Sequence, residues 1–161
     1  VQIHVILQFL KKIVIKDIFI TMLWSISPLG EAKVGIPIGL QSEVNPYIIF
    51  VAAFIANVLV FPVMIFFLDN INRYLLRWRS YKKGALFVAK RAKKGAKDKI
   101  QKYGFWGLMI FVMLPVPGTG VYAGTIATYL FNIERKQAFA ANTIGIFFSS
   151  VIVWVTFMFF R

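Results

Sequence analysis

The sequence has no cysteine and one histidine, His4. Disulfides and thiolate metal sites are therefore excluded. A single imidazole gives no basis for a metal centre or a Ser-His pair, so neither metal nor cofactor is expected. Carboxylates are scarce, 6 against 19 lysines and arginines, for a formal net charge of +13. Among the six, only Glu31 falls where membrane depth is expected. There is no paired-carboxylate or nucleophile constellation for acid–base or covalent work, and the chain reads as a non-enzyme.

Apolar residues fill the space. They make up 59% of the 161 residues, with 17% aromatics and a mean hydropathy of +0.73. Soluble domains hold roughly 45–50% apolar residues even with glycine counted. The composition is that of an integral membrane protein, and the length suits one membrane domain. Val1–Lys16 does not read as a signal peptide, because its lysines sit inside the apolar stretch and no small-residue cleavage pattern follows.

The positive charge is concentrated. Twelve of the 19 basic residues lie between Arg73 and Lys102, which marks that side as cytoplasmic and attracts anionic headgroups. From Lys82 the spacing is helical, with Ala85, Ala89, Ala92 and Ala96 on one stripe. A lysine-alanine run can also signal nucleic acid, but this one lacks stacking aromatics and lies between apolar spans, so no nucleic-acid partner is expected.

Along the chain, Ile3–Ile15 has helical periodicity. Ile3, Ile6, Leu7, Leu10, Ile13 and Val14 share one face, and His4, Gln8, Lys11 and Lys12 the other. This suits an interfacial amphipathic helix over residues 1–16 or a tail packed on its own bundle. Repeat one, 17–71, starts with an apolar stretch interrupted by Pro28, Gly30, Glu31, Lys33, Gly35, Pro37 and Gly39. A span needs about 20 residues, so Lys16–Gln41 holds two half-helices with a tip near Gly30, a re-entrant hairpin, or else a single broken span. Asn45-Pro46 then caps a true span over Tyr47–Leu68, with Asn57 inside and Pro62 expected to kink it. The basic segment is 72–104. Repeat two, 105–161, has a run Phe105–Phe131 broken at its centre by Pro115, Pro117, Gly118 and Gly120, followed by a second span over Gln137–Phe160 containing Asn142.

The halves match. Ala53-Phe54-Ile55-Ala56-Asn57 repeats as Ala138-Phe139-Ala140-Ala141-Asn142, and Gly30 aligns loosely with Gly118. A hairpin plus one span is an odd number of crossings, so the second copy enters from the opposite face. Hairpin one would enter from outside and hairpin two from the cytoplasm, with tips meeting near the midplane. The expected fold is an all-α membrane protein built as an inverted repeat, the plan of secondary transporters with discontinuous helices.

The stretches Glu31-Ala32-Lys33-Val34-Gly35-Ile36-Pro37-Ile38-Gly39 and Leu114-Pro115-Val116-Pro117-Gly118-Thr119-Gly120-Val121-Tyr122-Ala123-Gly124 resemble the two signatures of the small multi-drug export protein family. That family is distantly similar to the DedA/VTT superfamily, whose paired re-entrant loops are associated with lipid translocation, including polyprenyl-phosphate carriers. The resemblance implies a transporter. Two departures are a lysine at position 33 in place of arginine and Tyr122-Ala123 in place of Trp-Thr. The first removes a bidentate guanidinium and weakens any carry-over of anion clamping.

The candidate substrate or ion site is therefore Glu31 and Lys33 on one tip, and Thr119 with the Gly118–Gly120 amides on the other, where helix N-terminal N–H groups suit an anion. Tyr122, Asn57 and Asn142 join this set, the two asparagines as groups that bond across to the hairpins or satisfy broken backbone. A buried charge at Glu31 costs about 2.5–3.5 kcal/mol on lenient scales, offset by Lys33 or by protonation. Three functions stay open: a flippase for a lipid-linked or small anionic substrate, possible proton coupling through Glu31 included; a proton-coupled small multidrug exporter; and a non-transporting structural protein. A homodimer is expected, because four inserted elements are few to enclose a pathway.

Overall fold

The computed structural model describes residues 2–114 and 119–160, with side chains described throughout these except at 2–10, 91–92 and 95–101. All regular structure among the described residues is helical. The elements are α1 (Gln2–Ile26), α2 (Glu31–Gly39), α3 (Pro46–Phe66, continued by a π-helical turn Phe67–Ile71 and a last turn Asn72–Leu75), α4 (Arg79–Tyr103), α5 (Phe105–Met113), α6 (Val121–Leu130) and α7 (Arg135–Phe159).

The N-terminal amphipathic segment and the first half-helix form one continuous rod, α1, because no glycine or proline interrupts 2–26. The side chains of Ile3, His4, Ile6, Leu7, Gln8 and Leu10 lie outside the described set. Helix α1 stops where Ser27 N–H shares the Leu23 and Trp24 carbonyls ahead of Pro28. Two helices, Pro46–Leu75 and Arg135–Phe159, are long and apolar enough to cross a membrane, at the places expected for the spans. The other apolar runs yield short helices. Helices α2 and α5 have 9 residues each, about 14 Å at 1.5 Å per residue, roughly half a hydrocarbon core.

Helix α3 starts as its sequence dictates. The Asn45 Oδ1 accepts the Tyr47 N–H at 2.9 Å, with Pro46 in the first turn. Helical structure continues through Pro62, and the irregular turn comes at Phe67–Ile71 instead. Helix α4 passes to α5 through Gly104 alone, at φ 51 and ψ −119, a conformation open to glycine but strained for other residues. Helix α6 ends in Asn132, left-handed at φ 51, a residue that tolerates that region.

The contacts fall into two compact units, Val1–Asn57 with Ser150–Arg161, and Val58–Ser149. In the first, Ala32, Ile36, Leu40, Val44, Ile49 and Ala53 form a buried core, with Val14, Ile18, Phe50 and Trp154 packed on it. The first turn of α3 lies beside the end of α7, where the Trp154 Nε1–H donates to the Pro46 carbonyl at 3.2 Å and the ring meets Tyr47 and Phe50. In the second unit, Leu108, Phe111, Val112, Val121, Ala138 and Ala141 are buried. There the end of α3 meets the start of α7 through Phe61 on Phe139 and an exposed Asp69–Arg135 ion pair at 2.8 Å. The matched pentapeptides keep one burial pattern: Ala53, Ala56 and Asn57 are buried, as are Ala138, Ala141 and Asn142.

Candidate functional site

In the first unit, α2 folds back on α1 through small residues. An added Cβ on Gly35 would strike Ser25 Oγ and come within 2.8 Å of the Thr21 carbonyl, and one on Gly39 would strike Thr21 Oγ1 and Ile49. Thr21 and Ser25 are fully buried and donate their hydroxyls to carbonyls four residues earlier, Asp17 at 2.8 Å and Ser25's partner Thr21 at 2.7 Å. That back-bonding satisfies the hydroxyls within α1 and leaves a low surface for Gly35-x3-Gly39. This small-residue pairing is the close-packing device of membrane helices.

The turn Ser27–Gly30 closes the hairpin. Pro28 sits in it and Leu29 is 92% exposed at its crest. The Gly30 and Glu31 N–H groups both donate to the Ser27 carbonyl, at 3.1 and 2.9 Å. Gly30 is right-handed; its missing Cβ serves the approach to the Trp24 carbonyl, 2.7 Å away. The left-handed residue is its neighbour Glu31, at φ 55. A glutamate there is strained by an amount on the order of 1–3 kcal/mol, and such strain concentrates at functional sites.

Glu31 is also buried, at 7% exposure, and opens α2, where a negative charge complements the helix dipole. Its Oε2 lies 3.5 Å from Lys33 Nζ, with both side chains largely buried. Of the sequence candidates, the structure joins this pair directly. Pro37, expected to break the helix, lies inside α2. The helix ends within two residues of it, so little helix lies beyond the proline to be displaced.

The second hairpin lies in the second unit. Pro115, Pro117 and Gly118 are outside the described residues. Leu114 is extended (φ −61, ψ 123), as a residue before proline prefers. The Thr119 Oγ1 donates to the Leu114 carbonyl at 2.8 Å, which spends this hydroxyl on closing the loop. Helix α6 begins at Val121 with buried Gly120 as its N-cap, and Tyr122 follows, half-buried. The first-turn amides of α6 are those just after Gly120. Gly124 packs against Val112 and Asn142 Oδ1.

The two asparagines do not bond to the hairpins among the described residues. Asn142 donates to its own helix, to the Ala138 carbonyl at 2.8 Å, and its Oδ1 is buried with no hydrogen-bond partner; Asn57 Oδ1 is in the same state. Bonding across fails for Asn142 because Gly124, which faces its Oδ1, offers a Cα–H there rather than an amide. The buried hydroxyls of Ser149 and Ser150 also lack partners. Each such group carries a desolvation cost of about 1–3 kcal/mol, and all of them can accept a donor or a cation. The sequence reading missed these serines and the Thr21/Ser25 face. The signal was present as small residues at i, i+4 spacing.

A family model described as "Putative small multi-drug export protein" matches residues 31–152, starting at Glu31 and covering both hairpin motifs, the first long helix and most of the second. The chain belongs to this family. With two helices able to cross a bilayer, the chain is a membrane protein. No curated protein and no solved structure matches the chain.

Proposed function

We propose that the protein transports a lipid-linked or small anionic substrate across the bilayer, using the hairpin tips and a proton on Glu31. The carrying observation is Glu31 itself: buried, left-handed and held against Lys33 at the start of α2. A purely structural residue gains nothing from that conformation, whereas a proton carrier gains from a carboxylate whose charge an adjustable lysine balances. Lys33 on the first hairpin suits an anionic group, as does the α6 N-terminus on the second. Protonating Glu31 removes its repulsion, so a proton travels with the substrate. The reading involves no covalent chemistry.

We further read the hairpins as re-entrant and the repeat as inverted, supported by the half-span lengths of α2, α5 and α6 and the shared burial of the matched pentapeptides. The basic segment 72–104 is then cytoplasmic and the working form a homodimer. Flux of a fluorescent anionic lipid in proteoliposomes tests the reading. Glu31→Gln should abolish the pH dependence and most of the rate; if both survive, Glu31 is not the coupling group. The family's description favours a second reading, export of small drugs. Drug efflux without lipid movement in the same vesicles would select it.

A further inference from the structure

The second unit contains a cavity of about 470 Å³ unrelated to either hairpin tip. Small-molecule sites span roughly 300–1,000 Å³. Its walls come from the end of α3, the first turns of α4 and the end of α6, and are apolar apart from Asn72, Tyr81 and Tyr129. The Tyr81 hydroxyl donates to Asn72 Oδ1 at 2.8 Å. Asn72 is only 8% exposed, and no hydrogen bond from its amide N–H is present among the described residues.

The π-helical turn explains how Asn72 reaches this wall. Its N–H bonds to the Phe67 carbonyl five residues back, so Phe67, Leu68 and Asn72 all line the cavity. An ordinary α-turn would advance Asn72 past it. Irregular turns of this kind mark functional sites often enough to require an explanation.

The surroundings fix the kind of occupant. The cavity lies where the apolar helix Pro46–Leu75 gives way to the basic helix α4. Exposed Arg77, Arg79, Lys82 and Lys83 adjoin its lining residues in sequence, and no acidic residue occurs from Asn70 to Lys97. Exposed Tyr74 and Trp78 are the aromatics of a membrane interface. Apolar volume, then a buried amide donor, then cations reproduces the order of groups in a lipid: acyl chain, ester carbonyl, phosphate.

We propose that this cavity seats one acyl chain of an anionic glycerophospholipid. The ester carbonyl accepts from the Asn72 amide and the phosphate lies among Arg77, Arg79, Lys82 and Lys83. This is a lipid held as a ligand at the basic edge of the protein, and it stands whether or not the hairpins transport.

Gly84 supplies the test. It lines the cavity, and a Cβ there meets no atom within 4 Å, so Gly84→Phe fills the space without a backbone clash. The full chain is placed in vesicles of phosphatidylglycerol and phosphatidylcholine, extracted gently, and its retained lipid counted by native mass spectrometry. One phosphatidylglycerol per chain is expected, lost in Gly84→Phe. Asn72→Leu should weaken retention roughly threefold to tenfold. Each of Lys82→Gln and Lys83→Gln should weaken the preference for phosphatidylglycerol about fivefold. Retention of the same lipid by Gly84→Phe, or equal retention of phosphatidylcholine by the parent chain, overturns the proposal. If Gly84→Phe does not fold, a phosphatidylglycerol with a photoreactive acyl chain decides. Labelling of Met64–Ala89 or Ile126–Leu130 supports the site, and labelling confined to other segments refutes it.

Discussion

In the first unit, α2 is pressed onto α1 at Gly35, against a backbone carbonyl, a backbone amide and a short hydroxyl side chain. In the second, α6 meets α5 and α7 at Gly124, against the ends of the Val112 and Asn142 side chains. At Gly35 backbone atoms stand in the way, whereas at Gly124 every near atom belongs to a side chain. Charge follows the same division, with Glu31 and Lys33 on the stiff hairpin and loop-closing Thr119 with backbone amides on the other. A buried ion pair needs fixed geometry to offset its desolvation, and the stiff hairpin provides it. A surface of backbone donors works with looser walls.

The largest expected effect separates the two closures. Gly35→Ala should cost about 3 kcal/mol, at the upper end of overpacking, because the Thr21 carbonyl and Ser25 amide it meets are backbone and held in α1. Gly124→Ala should cost about 1 kcal/mol. Thermal unfolding in detergent followed by circular dichroism measures both, and equal losses would end the distinction. Next come the junctions between α3 and α7. Trp154→Ala should remove about 3 kcal/mol, the range for deleting a packed aromatic. Asp69→Ala should remove no more than about 1 kcal/mol, since that pair is exposed. A larger loss from Asp69→Ala would reverse the ranking of the two junctions.

The ion pair gives a smaller effect. Lys33→Met leaves Glu31 charged and should destabilise by about 2 kcal/mol, less than a fully buried pair would show, while Glu31→Gln with Lys33→Met should fall near neutral. A double change as costly as the single one would mean that the hairpin does not depend on the pair. The smallest effect concerns Tyr81, whose phenol is pushed above its ordinary value by burial. A raised folded value means that its contribution is intact below the ordinary phenol pKa, about 10, and fades as pH rises through the folded value. Difference absorbance against Tyr81→Phe should show one phenol ionising late. An ordinary titration would place Tyr81 in open water.

The long spans and the short hairpin helices were legible because proline and glycine interrupt apolar runs whose lengths admit few arrangements. The Asn45-Pro46 start of α3 was equally plain, being a local rule satisfied by adjacent residues. Pro37 misled, since the damage a proline does depends on how much helix follows it. Glu31 was identified by its charge, but its left-handed backbone was invisible: the glycine one position earlier is the natural candidate, and close packing on Trp24 claims it. The Asn72–Tyr81 pair also escaped, because it requires a π-turn that no local pattern announces.

The make-up of the first unit bears on the order in which the protein assembles. It combines Val1–Asn57 with Ser150–Arg161, and Trp154, which anchors the start of α3, belongs to the second stretch. The second unit is one unbroken stretch, Val58–Ser149. During synthesis, the second unit therefore has every residue it needs before the first one does. The segment bearing Glu31 is made early and completed last, when the final turns of α7 leave the ribosome.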